Sequence, residues 1–362
     1  MKLHYLLESA RHCRASDLHI VVGIPPLLRR DGQIVAAKGD SITPEKAKML
    51  AYELLNDEQR SKLERDLALC FSTRFGEDDR ARVAVYFRNG VPEMSIRLSE
   101  KHIRTREELG LPAVVDELAR KPNGLVLITG PTGTGKTTTF HYMVDLINAE
   151  FRRKIVTIED PIEFTHRYKR SIVIQQEVLT DVLDFGNALK HVLRQDPDVI
   201  CVGEMRDRET IYTALMAAET GHLVIATLHT PGAAEVIQRI GSAFPEGQQA
   251  EVRFMLANAL QGVISQQLMP RASGDGRAMA CEILIGTSGV RKQVRENEAH
   301  RLYSEMQAGG KYDMTTMDRS LLQLYQKGDI SYDTAVSMAR YPDQISSGQR
   351  GLWDKWPLCL IA

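Results

Sequence analysis

The residues best equipped for chemistry are Gly130-Pro131-Thr132-Gly133-Thr134-Gly135-Lys136-Thr137. An apolar run precedes them, and Phe140, Met143, Val144 and Ile147 follow at helical spacing. Strand, glycine-rich loop and helix in this order with G-x-x-x-x-G-K-[ST] make a phosphate cradle. The glycines let backbone N–H groups close around phosphate oxygens, and the helix N-terminus adds partial positive charge. Lys136 then neutralises the β- and γ-phosphates and Thr137 holds Mg²⁺, with Thr138 beside it on the first turn. The ligand expected is ATP with Mg²⁺.

Three further strand candidates end in unusual side chains. Ile155–Ile158 leads into Glu159, Asp160 and Glu163, Val199–Val202 into Glu204, and Leu223–Leu228 into His229. Open α/β sheets bind ligands at the carboxyl ends of their strands, so these groups are expected at the edge that carries the glycine loop. Phosphoryl transfer to water needs a metal on the phosphates, a carboxylate on the attacking water and a cation against the transition state. Glu204 suits the metal or the water and Glu163 the water, and spacing does not divide the roles between them. His229 suits a contact to the γ-phosphate. His222 precedes it by seven residues in what reads as one strand, roughly 23 Å away. The two histidines therefore belong at different strand ends, and a structural role or subunit contact suits His222 better.

Stepping from these groups to the elements that must hold them, 362 residues exceed what one hydrophobic core sustains. A hydrophobic share of 43% and a charged share of 26% exclude disordered and membrane-spanning classes. A net charge of -1 excludes a global field for nucleic acid. The five cysteines form no C-x-x-C pair and fit a reducing cytosol. Residues 1–98 alternate short apolar runs with turn signals, as a small α+β domain does, with a helix near 44–56 opened by Thr43-Pro44-Glu45. Charges crowd in the linker, 99–117. Residues 118–345 alternate aliphatic strands with helical periodicity, as a mainly parallel sheet requires. The appended tail, 346–362, carries both tryptophans and is expected to be dispensable for catalysis.

The glycine loop, Thr157-Ile158-Glu159-Asp160-Pro161-Ile162-Glu163, Arg194-Gln195-Asp196-Pro197-Asp198 through Glu204-Met205-Arg206-Asp207, and Thr220-Gly221-His222 through His229-Thr230 form a specific set. They resemble the Walker A, Asp box, Walker B and His box of the secretion ATPases. Within that superfamily, Ala15-Ser16-Asp17-Leu18-His19 and Met314-Thr315-Thr316-Met317-Asp318 resemble the type IV pilus retraction ATPases. The likeness runs from about residue 1 to 340. It implies a PAS-like N-terminal domain, a RecA-like ATPase domain and a homo-hexameric ring. The ring would act at the cytoplasmic face of the inner membrane on a pilus platform protein and the pilin disassembly machinery, with no nucleic acid. It also carries His222 into the catalytic set and places Arg82 and Arg97 against the γ-phosphate.

Departures from the family pattern fall at Val83-Ala84, Leu98-Ser99-Glu100 and Pro231-Gly232. A segment tied to pulling corresponds to Gly289–Glu296, where Val290 and Val294 form an apolar patch on a helix with Arg291 and Arg295 beside it. That patch is expected to transmit ATP-driven motion, the alternative being a helix packed plainly on its domain. Competing functions are a regulatory paralogue that binds ATP beside an active motor, and a nucleic-acid translocase. The second lacks a basic stripe or an abundance of stacking aromatics.

Overall fold

The computed structural model describes residues 2–30, 33–75, 79–99, 102–274 and 276–345. The tail from 346 and its tryptophans lie outside the described residues. Two compact units emerge, one comprising Met1–Ile103 with Asp160–His166, the other Arg104–Glu159 with the chain from Arg167 onward. The division at Ile103 falls inside the stretch read as linker. Among the described residues no helix is long and apolar enough to cross a membrane.

In the first unit, strands β1 (Asp17–Ile20), β2 (Leu27–Arg30), β3 (Gln33–Ala36), β4 (Ala68–Phe75), β5 (Asp79–Arg88) and β6 (Val91–Leu98) form an antiparallel sheet ordered β3-β2-β1-β6-β5-β4. Helices α1 (Leu3–His12), α2 (Pro44–Glu53) and α3 (Asp57–Asp66) complete it. The helix expected near 44–56 is α2, where the Thr43 side chain accepts from the Lys46 amide and Pro44 presets the first turn. Leu3, Leu7, Leu18, Ile20, Leu50, Met94 and Ile96 form its core.

The second unit starts with short helices α4 (Arg106–Leu109) and α5 (Val114–Ala119). Its seven-stranded sheet is ordered β13-β12-β7-β11-β10-β8-β9, from β7 (Gly124–Thr129), β8 (Lys154–Glu159), β9 (Ile172–Glu177), β10 (Val199–Val202), β11 (Leu223–Leu228), β12 (Leu260–Pro270) and β13 (Arg277–Ile285). All neighbours run parallel except β12 and β13. Helices α6 (Lys136–Glu150), α7 (Phe185–Val192), α8 (Arg208–Glu219), α9 (Ala233–Ser242) and α10 (Glu246–Ala259) cover it. After β13 come α11 (Ser288–Arg295), α12 (Leu302–Ala308), α13 (Met317–Gln326) and α14 (Tyr332–Met338).

Strands β7, β10 and β11 are buried along their whole length, as parallel strands covered on both faces must be. Alternate residues divide between two cores. Val126, Ile128, Val199, Cys201 and Ile225 pack with Phe140, Met143, Val144 and Ile147 of α6. Leu125, Leu127, Ile200, Val202, Val224 and Ala226 pack with α7 to α10.

The segment Gly289–Glu296 needs correction. Val290 and Val294 are 0% and 1% exposed and belong to the core under α10, so they present no patch for docking. Arg291 turns inward as well, donating to the Gly286 and Ala257 carbonyls at 2.8 and 2.9 Å and to that of Asn258. Gln293 donates to Glu305 at 3.2 Å. The helix ties β13 to the end of α10, as the plain packing alternative requires.

Candidate functional site

Gly130 closes β7 with φ of 139°, and a Cβ there would stand 2.4 Å from the Gln266 carbonyl oxygen, so only glycine fits. Gly135, at φ 87°, caps α6 with no side chain in the way of its free amides. Pro131, Thr132 and Gly133 are exposed, Thr134 is buried, and Thr137 and Thr138 are half-buried on the first turn. The Thr134 hydroxyl donates to the Pro131 carbonyl at 2.9 Å and braces the loop.

Lys136 is buried, and its ammonium meets the Gly130 and Pro131 carbonyls at 2.8 Å each and His229 Nδ1 at 3.3 Å. These three acceptors match its three N–H donors. Burial holds its pKa below the usual lysine range, with the Glu204 charge acting against the drop. Because an ammonium has no lone pair, His229 Nδ1 accepts, which leaves Nε2 to donate to Glu204 Oε1 at 3.2 Å. Thr132 Oγ1 lies 3.4 Å from the same Nδ1. Glu204 also pairs with Arg206 at 2.6 Å. Burial alone would raise the Glu204 pKa, but the hydrogen bonds from Arg206 and His229 and the Arg206 charge outweigh it and hold the carboxyl below the usual range.

The strands deliver this cluster in register. Thr129 stands opposite Leu228, so β7 and β11 end together and release Gly130 and His229 side by side. Gly203 sits between the Ile158 carbonyl, which accepts its amide at 2.8 Å, and the Thr227 hydroxyl, which donates to its carbonyl. Glu204 is thereby fixed at the same edge.

His222 does not join them. It precedes the first residue of β11 while His229 follows the last, and its Nδ1 lies 3.0 Å from the Ala217 carbonyl. The structure corrects its inclusion beside Lys136 within one chain, for the reason its odd interval indicated. Glu163, Arg82 and Arg97 belong to the first unit. Arg82 and Arg97 are direct cross-strand partners, and Arg97 in turn faces Asp17, which faces Arg29. Arg97 Nε donates to Asp17 Oδ1 at 3.1 Å. The motif reading missed that three arginines share one row with a single carboxylate, because it needs the pairing of four strands.

Two buried groups were also missed. Glu159, weighed only as a strand-end carboxylate, stands 3.3 Å from His141 of α6 and accepts from Thr157 at 2.6 Å and Gln175 at 2.9 Å. His141 lies five residues past Lys136, and that interval gave no hint of β8. Glu282 of β13 accepts from the Ala233 and Met317 amides at 2.6 and 3.4 Å.

A family model described as "Type II/IV secretion system protein" matches residues 91–345. The type IV pilus retraction ATPase PilT of Pseudomonas aeruginosa is 43% identical over 95% of this chain and 99% of its own length. The type IV pilus ATPase PilU of the same organism is 36% identical over 94% of this chain and 89% of its own. A crystal structure of the pilus retraction motor PilT with bound ADP superposes with a TM-score of 0.90 at 42% identity, covering 96% of this chain and 99% of that one. With the cradle, the ionised Glu204 and these likenesses together, the chain belongs to the type II/IV secretion system ATPase family.

Proposed function

We propose that this chain is the ATP-hydrolysing subunit of a homo-hexameric motor that retracts type IV pili. The contact chain Lys136–His229–Glu204 carries the reading, since it links a phosphate-binding ammonium to an ionised carboxylate through one imidazole. Residues Gly130 to Thr138 hold the phosphates. Mg²⁺ takes hard oxygen donors and phosphate oxygens, and the Thr137 hydroxyl and the Glu204 carboxylate are of that class. When bound, the ion neutralises charge on the β- and γ-phosphates. Glu204 or Glu163 orients the attacking water, His229 contacts the γ-phosphate, and Arg82 or Arg97 supplies the cation from the same chain or a neighbour. The work would be done at the cytoplasmic face of the inner membrane, against a pilus platform protein and the machinery that returns pilin subunits.

The near full-length likeness to a retraction ATPase supports the pilus assignment over other secretion roles. The test is pilus dynamics in a strain lacking this protein, together with ATP turnover by the purified ring. Retraction lost on deletion and restored by the parent chain, but not by K136A, supports the motor. An isolated ring that binds ATP without hydrolysing it would favour a regulatory paralogue, and turnover stimulated by DNA a translocase.

A further inference from the structure

The backbone that follows His229 is held by a row of three buried polar side chains on three adjacent strands. Thr129 at the end of β7 is the register partner of Ser265 on β12, and Ser265 is the register partner of Glu282 on β13. Each meets a different group of the loop that joins β11 to α9. The Thr129 hydroxyl donates to the Thr230 carbonyl, Ser265 Oγ accepts the Gly232 amide at 3.0 Å, and Glu282 Oε1 accepts the Ala233 amide at 2.6 Å. All three side chains are essentially excluded from solvent, so none is replaced by water at small cost.

We infer that Thr129, Ser265 and Glu282 act as one positioning row that sets where His229 stands between Lys136 and Glu204. This rests on the proposed role of His229 and deepens it. A loop anchored at one end only would let the imidazole drift. Displacing a catalytic contact by about 1 Å costs up to roughly 10²-fold in rate. The row fixes the backbone at one, three and four residues past His229, while Leu228 fixes it on the other side through its pairing with Thr129. Glu282 shares its second oxygen with the first amide of α13, so the C-terminal helices bear on the same anchor. Burial pushes the Glu282 carboxyl up and Glu235 adds to that, opposed by the Ala233 and Met317 amides and by Arg340.

The test is a double-mutant cycle between Ser265 and His229 in the full chain, reading kcat, KM and affinity for ADP. The expected result is that S265A lowers kcat by about 10- to 100-fold while ADP affinity and KM stay within about twofold. H229A should be slow on its own, and S265A with H229A no slower than H229A. That non-additivity separates positioning from a general loss of structure. Parental kcat in S265A, or a double variant slowed by the product of the two single effects, overturns the row. Parental kcat in H229A overturns the His229 reading itself, and the row with it. If S265A does not yield folded protein, T129V carries the same cycle through its own hydroxyl.

Discussion

The Lys136 ammonium lies 3.3 Å from Nδ1 of His229, so one imidazole spans the lysine of the glycine loop and the Glu204 carboxylate. Lys136→Ala removes the charge for the phosphates and strands the Gly130 and Pro131 carbonyls that the ammonium satisfies. The variant should remain folded with a loosened loop, bind ATP too weakly to measure, and hydrolyse none. Turnover near the parental rate would remove the cradle from the mechanism.

Glu204→Gln keeps the shape of the side chain and deletes the charge that faces His229 and Arg206. It should retain ATP and hydrolyse it at least ~100-fold more slowly, the scale of one lost transition-state group. Single-turnover kinetics would check this. Comparable rates would move the water-activating role to Glu163.

Arg82 and Arg97 oppose each other across β5 and β6, and among the described residues Asp17 is the one carboxylate in their row. Like charges directly opposite are destabilising. Arg82→Ala should therefore leave thermal stability unchanged or slightly raised, whereas Arg97→Ala should lower it slightly, since Asp17 loses its 3.1 Å partner and keeps Arg29 at 3.9 Å and the Ser16 hydroxyl at 2.7 Å. If either arginine faces the γ-phosphate, its alanine variant binds ATP and hydrolyses it roughly 10³- to 10⁵-fold more slowly. Full activity in both variants would end the assignment.

Burial on alkaline titration offers a separate check on Lys136. Its pKa is lowered by desolvation, so the unliganded ammonium loses its proton below the usual lysine range. Bound phosphate favours the charged form, and ADP affinity should therefore fall as pH rises through that lowered pKa, with proton uptake on binding. Calorimetry in buffers of different ionisation enthalpy would show the uptake. A pH-independent affinity on the alkaline side would count against contact between Lys136 and the phosphates.

The glycine loop and the strand-end acids were legible because each is a local pattern whose chemistry survives without knowledge of neighbours. The interval between His222 and His229 was legible for the same reason, since strand geometry alone separates them. The Thr129–Ser265–Glu282 row was not, because its members are 136 and 17 residues apart and meet only through the order β13-β12-β7. Val290 and Val294 show the converse failure. Helical spacing identified an apolar face but not what covers it, and the cover is the domain's own core. Val290→Asp with Val294→Asp would bury two carboxylates without partners, and the expected result is loss of folded protein rather than a motor that hydrolyses ATP without pulling. Soluble, fully active double variant would restore the docking reading.

The last expectation concerns the buried pair beneath α6, the helix that follows the glycine loop. His141 on α6 and Glu159 at the end of β8 are both excluded from solvent and stand 3.3 Å apart. Burial by itself would raise the Glu159 pKa, yet His141 and the hydrogen bonds from Thr157 and Gln175 hold it below the usual carboxylate range. A depressed carboxyl adds stability that is complete above its unfolded pKa, about 4.3, and is lost as pH falls through the folded value. Stability of the parent should therefore fall more steeply than that of Glu159→Gln as pH drops below about 4.3. At neutral pH, His141→Ala leaves a buried carboxylate without its imidazole partner and should cost about 1–3 kcal/mol, whereas replacing both partners, as in His141→Leu with Glu159→Gln, should cost less. Chemical denaturation across pH checks both statements. Parallel acid limbs in parent and Glu159→Gln, or a double variant weaker than His141→Ala alone, would show that the pair does not pin α6 to β8 through charge.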